Sequence, residues 1–116
     1  MKEKSGLGAE TVLLGIEGGG TRTVAVAADA GGRLLRRLET QAANLRLMSD
    51  VQLLRLLRFV KSQMPAPAVL AIGLAGARTD ADKHRLREIT QKVWQGIPCY
   101  ATNDLETGLM AAERIE

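Results

Sequence analysis

The stretch Gly15-Ile16-Glu17-Gly18-Gly19-Gly20-Thr21-Arg22-Thr23 constrains this chain more than any other. It lies between two short apolar runs, Val12 to Leu14 and Val24 to Ala28. Both are too short for helices, and Thr23, Val24 and Val26 favour strand. The pattern predicts one strand, a glycine turn and an antiparallel return. Consecutive glycines admit φ > 0 and close approach of a ligand to the backbone. Their N–H groups can converge on an anion. Thr21 and Thr23 offer hydroxyls, Arg22 a fixed positive charge, and Glu17 a carboxylate able to hold Mg²⁺ through water. An ordinary tight hairpin is the competing reading, although three glycines exceed what a two-residue hairpin requires.

Two other phosphate loops are excluded. A Walker A loop requires Lys after Gly20, where this chain has Thr21. A dinucleotide fingerprint requires a third glycine at position 23 and a helix directly afterwards, and here a strand pattern follows.

A length of 116 residues suits one domain, and 46% hydrophobic with 25% charged residues is a globular balance. Aromatics at 3% leave the core to Leu, Val, Ile and Ala. The formal charge of +3 comes from scattered basic residues without an aromatic stacking platform, so nucleic acid is not an expected partner. The longest apolar run, Ala68 to Ala77, falls short of the ~20 residues of a membrane span, and no signal peptide is visible, so no membrane partner and a cytoplasmic location are expected. Cys99 is alone, without a disulfide or metal-ligating companion, and reads as a small core residue.

Residues 1–10 read as a flexible tail and 11–116 as the folded domain. Strands are expected at about 11–17, 22–29 and 33–40, the second hairpin turning at Ala30-Gly31-Gly32. Arginines on both faces of the third strand suit a sheet edge. Residues 42–48 have no period and read as a loop. Ser49 with Gln52 forms a capping box, and Leu53, Leu56, Leu57, Val60 and Met64 follow at helical spacing until Pro65 and Pro67. Residues 68–74 are apolar on both faces, as an interior parallel strand requires. Thr79 with Asp82 opens a second helix, with Leu86, Ile89 and Val93 on its apolar face and Gly96 as its C′ residue. His84 reads as a surface residue, and Trp94 as packing at the helix end. A fifth strand at 97–102 precedes Asn103, Asp104 as N-cap, and a helical run from Leu105 to Ile115.

Right-handed crossovers place strands 4 and 5 beside strand 1. The result is an α/β fold of ribonuclease H-like arrangement: a mixed five-stranded sheet in the order 3-2-1-4-5 with helices on both faces. Glu17, Gly76 and Asp104 fall on the rim formed by the carboxyl ends of strands 1, 4 and 5, where open α/β sheets bind ligands.

The motif Gly15–Thr23 resembles the first phosphate motif of the sugar kinase, Hsp70 and actin superfamily. The triple glycine after an acidic residue is most similar to the N-acetylglucosamine kinase and BadF/BadG/BcrA/BcrD ATPase branch. Gly73-Leu74-Ala75-Gly76-Ala77 is similar to the glycine-containing end of strand 4 in these kinases. Ala101-Thr102-Asn103-Asp104 resembles their strand-5 segment, and the run Leu109–Ala112 also fits. The resemblance covers nearly all of residues 11–115. It implies ATP and Mg²⁺ as cofactors and a small-molecule sugar as substrate. Gly18, Gly19, Gly20, Thr21, Arg22 and Thr23 would hold phosphates and Glu17 the Mg²⁺. Asn44, Gly76 and Asn103 would contact the sugar, and Asp104 would be the general base.

Proteins of this family have two lobes with ATP between them, and a second glycine-rich motif follows the fifth strand and its helix. The sequence stops at Glu116 before either, so it is expected to be an N-terminal lobe whose C-terminal partner lobe is missing, inactive alone and open to homodimer formation through uncovered apolar surface. Cys99 alone provides no iron–sulfur cluster of the kind implied for dehydratase activators, which favours the kinase side. An ATPase lobe coupled to a partner protein and a non-catalytic sugar-sensing lobe are the alternatives. A nuclease on this fold would need an acid near the end of strand 4, and residues 71–77 contain none.

Overall fold

The computed structural model describes residues 11–102. The tail expected at 1–10, Asn103, Asp104 and the helical run from Leu105 to Ile115 lie outside these residues. The elements are β1 (Val12–Gly18), β2 (Thr23–Asp29), β3 (Leu34–Thr40), a 3₁₀ turn (Leu45–Leu47), α1 (Asp50–Gln63), β4 (Val69–Leu74), α2 (Asp80–Val93) and β5 (Cys99–Thr102). They form an α/β fold around one mixed sheet in the order β3-β2-β1-β4-β5. β2 runs antiparallel to β1 and β3, and β4 runs parallel to β1 and β5. The sequence pattern anticipates this order and direction.

Period-two alternation decides which side chains reach the core. Leu14 and Ile16 of β1, Ala25 and Ala27 of β2, and Leu70, Ile72 and Leu74 of β4 form one buried cluster with the helices. α1 contributes the expected stripe of Leu53, Leu56, Leu57, Val60 and Met64, and α2 contributes Leu86, Ile89, Val93 and Trp94. Both described helices therefore cover the same face, as successive right-handed crossovers in one direction require. Val24, Val26 and Ala28 on the other face of β2 are also buried. Each fully buried Leu or Ile contributes about 1.5–3 kcal/mol through removal from water, so an aliphatic core suffices without aromatics.

The helix starts follow their capping signals. Ser49 and Gln52 exchange the two bonds of a capping box at α1, and Thr79 and Asp82 do the same at α2. The last turn of α1 closes when Met64 donates to the Lys61 carbonyl, just before Pro65. Trp94 is the C-cap of α2, so Gly96 stands one residue beyond the expected C′ position. Its φ of +77° turns the chain where Ile97 donates to the Trp94 carbonyl. β5 starts at Cys99, later than the expected residue 97, because Ile97 is engaged in that turn and Pro98 has no N–H for the ladder.

The hairpin between β2 and β3 is organised by a residue without a sequence-level assignment. The buried Asp29 carboxylate accepts from the N–H groups of Gly31 at 3.0 Å and Arg33 at 2.9 Å. Gly32 supplies the left-handed φ of +90° beside it. His84 lies on the surface, 3.1 Å from Glu88.

Candidate functional site

Parallel pairing brings the carboxyl ends of β1, β4 and β5 to one rim. Three connections meet there: the β1–β2 turn at Gly19–Arg22, the segment Ala43–Leu47, and the bend after β4 at Ala75–Ala77. Backbone bonds lace them together. Ala75 donates to the Gly18 carbonyl at 2.9 Å, Ala43 to that of Gly19 at 3.0 Å, and Leu45 to that of Ala75 at 2.7 Å. The structure thus unites the glycine turn, Asn44 and Gly76, which stand far apart in sequence.

Gly18 has no room for a side chain. A Cβ there would sit 2.5 Å from Leu74 Cδ2, 3.0 Å from Ala43 Cβ and 3.2 Å from Thr23 Oγ1. Gly20 differs, for a Cβ on it meets nothing within 4 Å. The left-handed glycines of the described chain are Gly32, Gly76 and Gly96, so the β1–β2 turn does not use the positive φ that its sequence permits. Gly19 N–H is committed to the Arg22 carbonyl at 2.9 Å. The N–H groups of Gly20 and Thr21 make no hydrogen bond among the described residues, and both residues are exposed. Gly20 puts no side chain over these two donors, which leaves them open to a hydrogen-bond acceptor from solvent.

The neighbouring candidates are placed differently from one another. Thr23 is fully buried, packs against Gly18 on the helix-covered side, and its Oγ1 has no hydrogen-bond partner. An orphaned hydroxyl costs about 1–3 kcal/mol. Arg22 is turned toward β3, with Nη1 3.4 Å from Glu39 Oε2. Arg37 holds the same carboxylate at 2.7 Å and, with Arg22, lowers its pKa. Glu17 is half-buried on the sheet face opposite Gly18. It stands in register with Gly73, which stands in register with Thr102. The row Glu17–Gly73–Thr102 therefore crosses three strands with no side chain at its middle, spanning roughly 10 Å at two strand spacings. Asn103 and Asp104 follow Thr102 directly but lie outside the described residues. Among the described residues, no cluster of three or more His, Cys, Asp and Glu side chains forms a metal site.

Asn44 caps the 3₁₀ turn by accepting from Arg46 N–H at 3.0 Å. The same Oδ1 lies 2.5 Å from where a Gly76 Cβ would be, and Gly76 has a φ of +90°. Asn44 and Gly76 are thus fitted to each other. Arg46 fastens the pair, donating from Nε to the Gly76 carbonyl at 3.1 Å and from Nη2 to Asp82 at 2.7 Å. Arg85 holds the other side of the segment, reaching the carbonyls of Leu45 and Met48, both at 2.8 Å, and Asp50 at 2.9 Å. Neither arginine is legible in sequence, because their partners lie 30 to 40 residues away. Burial raises the Cys99 thiol to about 11, against a lowering influence of Arg87, so it is a neutral packing group rather than a nucleophile.

No protein-family model matches this chain, and no curated protein matches it.

Gly18→Ala is expected to destabilise the domain by about 1–3 kcal/mol through overpacking, whereas Gly20→Ala changes stability by less than about 0.5 kcal/mol. Urea unfolding of the two variants measures the difference, and equal costs would contradict the packing described for Gly18.

Asp82 generates a pH dependence. Thr79 N–H donates to its carboxylate at 3.1 Å, and with help from Arg78 N–H, the Thr79 hydroxyl and Arg46 it holds the pKa at about 2 despite opposing desolvation. The usual value is 3.8, so this stabilisation is complete above that pH and disappears as pH falls through about 2. Asp82→Asn should lower Tm at pH 7, with the gap to the parent protein narrowing between pH 4 and pH 2. A gap that does not vary with pH would remove the charge from the explanation.

Proposed function

We propose that this chain is the N-terminal lobe of an ATP-dependent sugar kinase acting on N-acetylglucosamine or a related amino sugar. The observation that carries this reading is the lacing of Gly18 and Gly19 to Asn44 and Gly76 at one rim of a 3-2-1-4-5 sheet. It puts open backbone donors beside a built polar turn, as a site that holds both a phosphate and a sugar needs.

Bound Mg·ATP supplies the transferable phosphoryl group. The chain contributes positioning and charge complementarity rather than covalent chemistry. Gly20 and Thr21 N–H groups donate to phosphate oxygens, and Gly18 keeps the turn close to the other two loops. Glu17 would hold Mg²⁺ through water. Asn44, Gly76 and Asn103 hold the sugar, and Asp104 accepts the proton of the attacking hydroxyl. A sugar-sensing lobe without turnover is the second reading. The engagement of Arg22 with Glu39 favours it, because that charge is turned away from the phosphates.

The described residues form one wall of such a site, which leaves phosphates in contact with water. The chain alone is therefore expected to bind Mg·ATP only in the millimolar range, about −4 kcal/mol, without turnover. An amide NMR titration should move residues 18–21, 44–46 and 75–76. Micromolar affinity by calorimetry, or shifts confined to another surface, would refute this.

In a protein that joins this lobe to an ATP-binding partner lobe, Asp104→Asn keeps the shape and capping ability of the side chain but removes the base. We expect kcat to fall by ~10²–10⁴ with Tm and ATP binding unchanged. A variant that melts while its folded fraction keeps full specific activity would make Asp104 a helix cap and nothing more.

A further inference from the structure

Beside the rim, between the end of β3 and α1, lies a groove of about 520 Å³. Its size falls among small-molecule sites, which run from about 300 to 1,000 Å³. Thr40, the last residue of β3, and Gln41 line its strand side. Gln52, Arg55, Leu56 and Phe59 line its helix side. Spaced three and four apart, these four residues share one side of α1.

The apolar part of the lining is continuous with the core. Leu56 is buried within the main cluster, whereas Leu47 is 81% and Phe59 44% exposed. Large apolar side chains grouped and left this open gain from being covered. The polar part is made of donors. Gln52 Oε1 is taken by Ser49 N–H at 2.8 Å in the capping box, so the side-chain nitrogen is the half left to act. It makes no hydrogen bond among the described residues. Arg55, one turn further along, makes neither an ion pair nor a hydrogen bond among them. By contrast Arg46 and Arg85, which bind the segment between β3 and α1, are spent on Asp82, Asp50 and loop carbonyls. No Asp or Glu among the described residues lines the groove.

We propose that this groove binds a small organic acid with one carboxylate on an apolar body the size of a phenylalkyl group. Arg55 gives the carboxylate a charge-assisted hydrogen bond, and the Gln52 side-chain nitrogen donates a second. The apolar body covers Leu47, Leu56 and Phe59, and leaving water drives that contact. Thr40 and Gln41 add hydrogen bonds for a hydroxyl or amide on the ligand. One cation sets the charge at one, since a second carboxylate would lose water without gaining a partner. An amine of the same shape meets Arg55 as a like charge. The site stands on the groove alone and does not rest on the kinase reading.

The test uses the whole 116-residue chain and phenylbutyrate, with butyrate and phenylbutylamine as counterparts, followed by amide NMR. A ligand of this size is expected to bind with a Kd of about 1 mM. Phenylbutyrate should shift residues 40–42, 47–48 and 52–59, together with the Gln52 side-chain amide. Butyrate and phenylbutylamine should bind at least about tenfold more weakly. Arg55→Gln should weaken phenylbutyrate about tenfold without changing Tm. Arg58→Gln, also on α1 but outside the groove, should leave the affinity unchanged. The proposal is overturned if phenylbutyrate does not bind at about 20 mM, or if its shifts fall at residues 18–21 and 75–76 or on another surface instead. It is equally overturned if butyrate or the amine binds as well, or if Arg55→Gln and Arg58→Gln have equal effects.

Discussion

The end of β1 has no space for a side chain, and the rest of the rim depends on that. At Gly18 the backbone comes close enough to Leu74, Ala43 and Thr23 that any Cβ would collide. That closeness lets the carbonyls of Gly18 and Gly19 take hydrogen bonds from Ala75 and Ala43. Two connections that follow different strands are thereby pinned to the turn between β1 and β2. The packing also has a cost, for Thr23 brings a hydroxyl into the same space without a partner. The gain from close packing of Leu74 and Ala43 has to exceed about 1–3 kcal/mol for that orphaned group.

The arginines divide into two groups with different physical roles. Arg46 and Arg85 reach across the loops and satisfy carbonyls of irregular backbone that no ladder serves, at Gly76, Leu45 and Met48. Buried or half-buried loop carbonyls need such donors, and a guanidinium provides several in one rigid plane. Arg22 and Arg37 instead gather on the exposed Glu39 of β3, where solvent screens them. Charged side chains along an outer strand discourage pairing between copies.

The glycines also divide. Gly18 is needed for absence of volume, Gly76 for its left-handed backbone as well as for space beside Asn44, and Gly20 for neither. Gly20 and Thr21 are exposed, and their N–H groups make no hydrogen bond among the described residues. A single triple-glycine signature therefore combines a packing position at Gly18 with an exposed, unpacked one at Gly20, and a substitution at each position reads out a different property.

Much of the architecture was legible from periodicity and caps. Ser49–Gln52 and Thr79–Asp82 set the helix starts, the stripes through Leu57 and Leu86 set the buried faces, and the alternation of elements set the order β3-β2-β1-β4-β5. These signals are local, since each depends on residues within a turn or on the two-residue pleat. The meeting of Glu17 and Gly76 at one rim followed from topology alone. The linkage of Asn44 to Gly76, the loop-bridging Arg46 and Arg85, the Asp29 turn and the turning of Arg22 toward Glu39 were decided only by tertiary structure. Each joins backbone to side chain, or charge to charge, with a geometry that no repeat in the sequence encodes. The conformation of the glycine turn belongs with them: the sequence by itself permitted positive φ at Gly18–Gly20, and packing against Leu74 and Ala43 selected a backbone that does not use it.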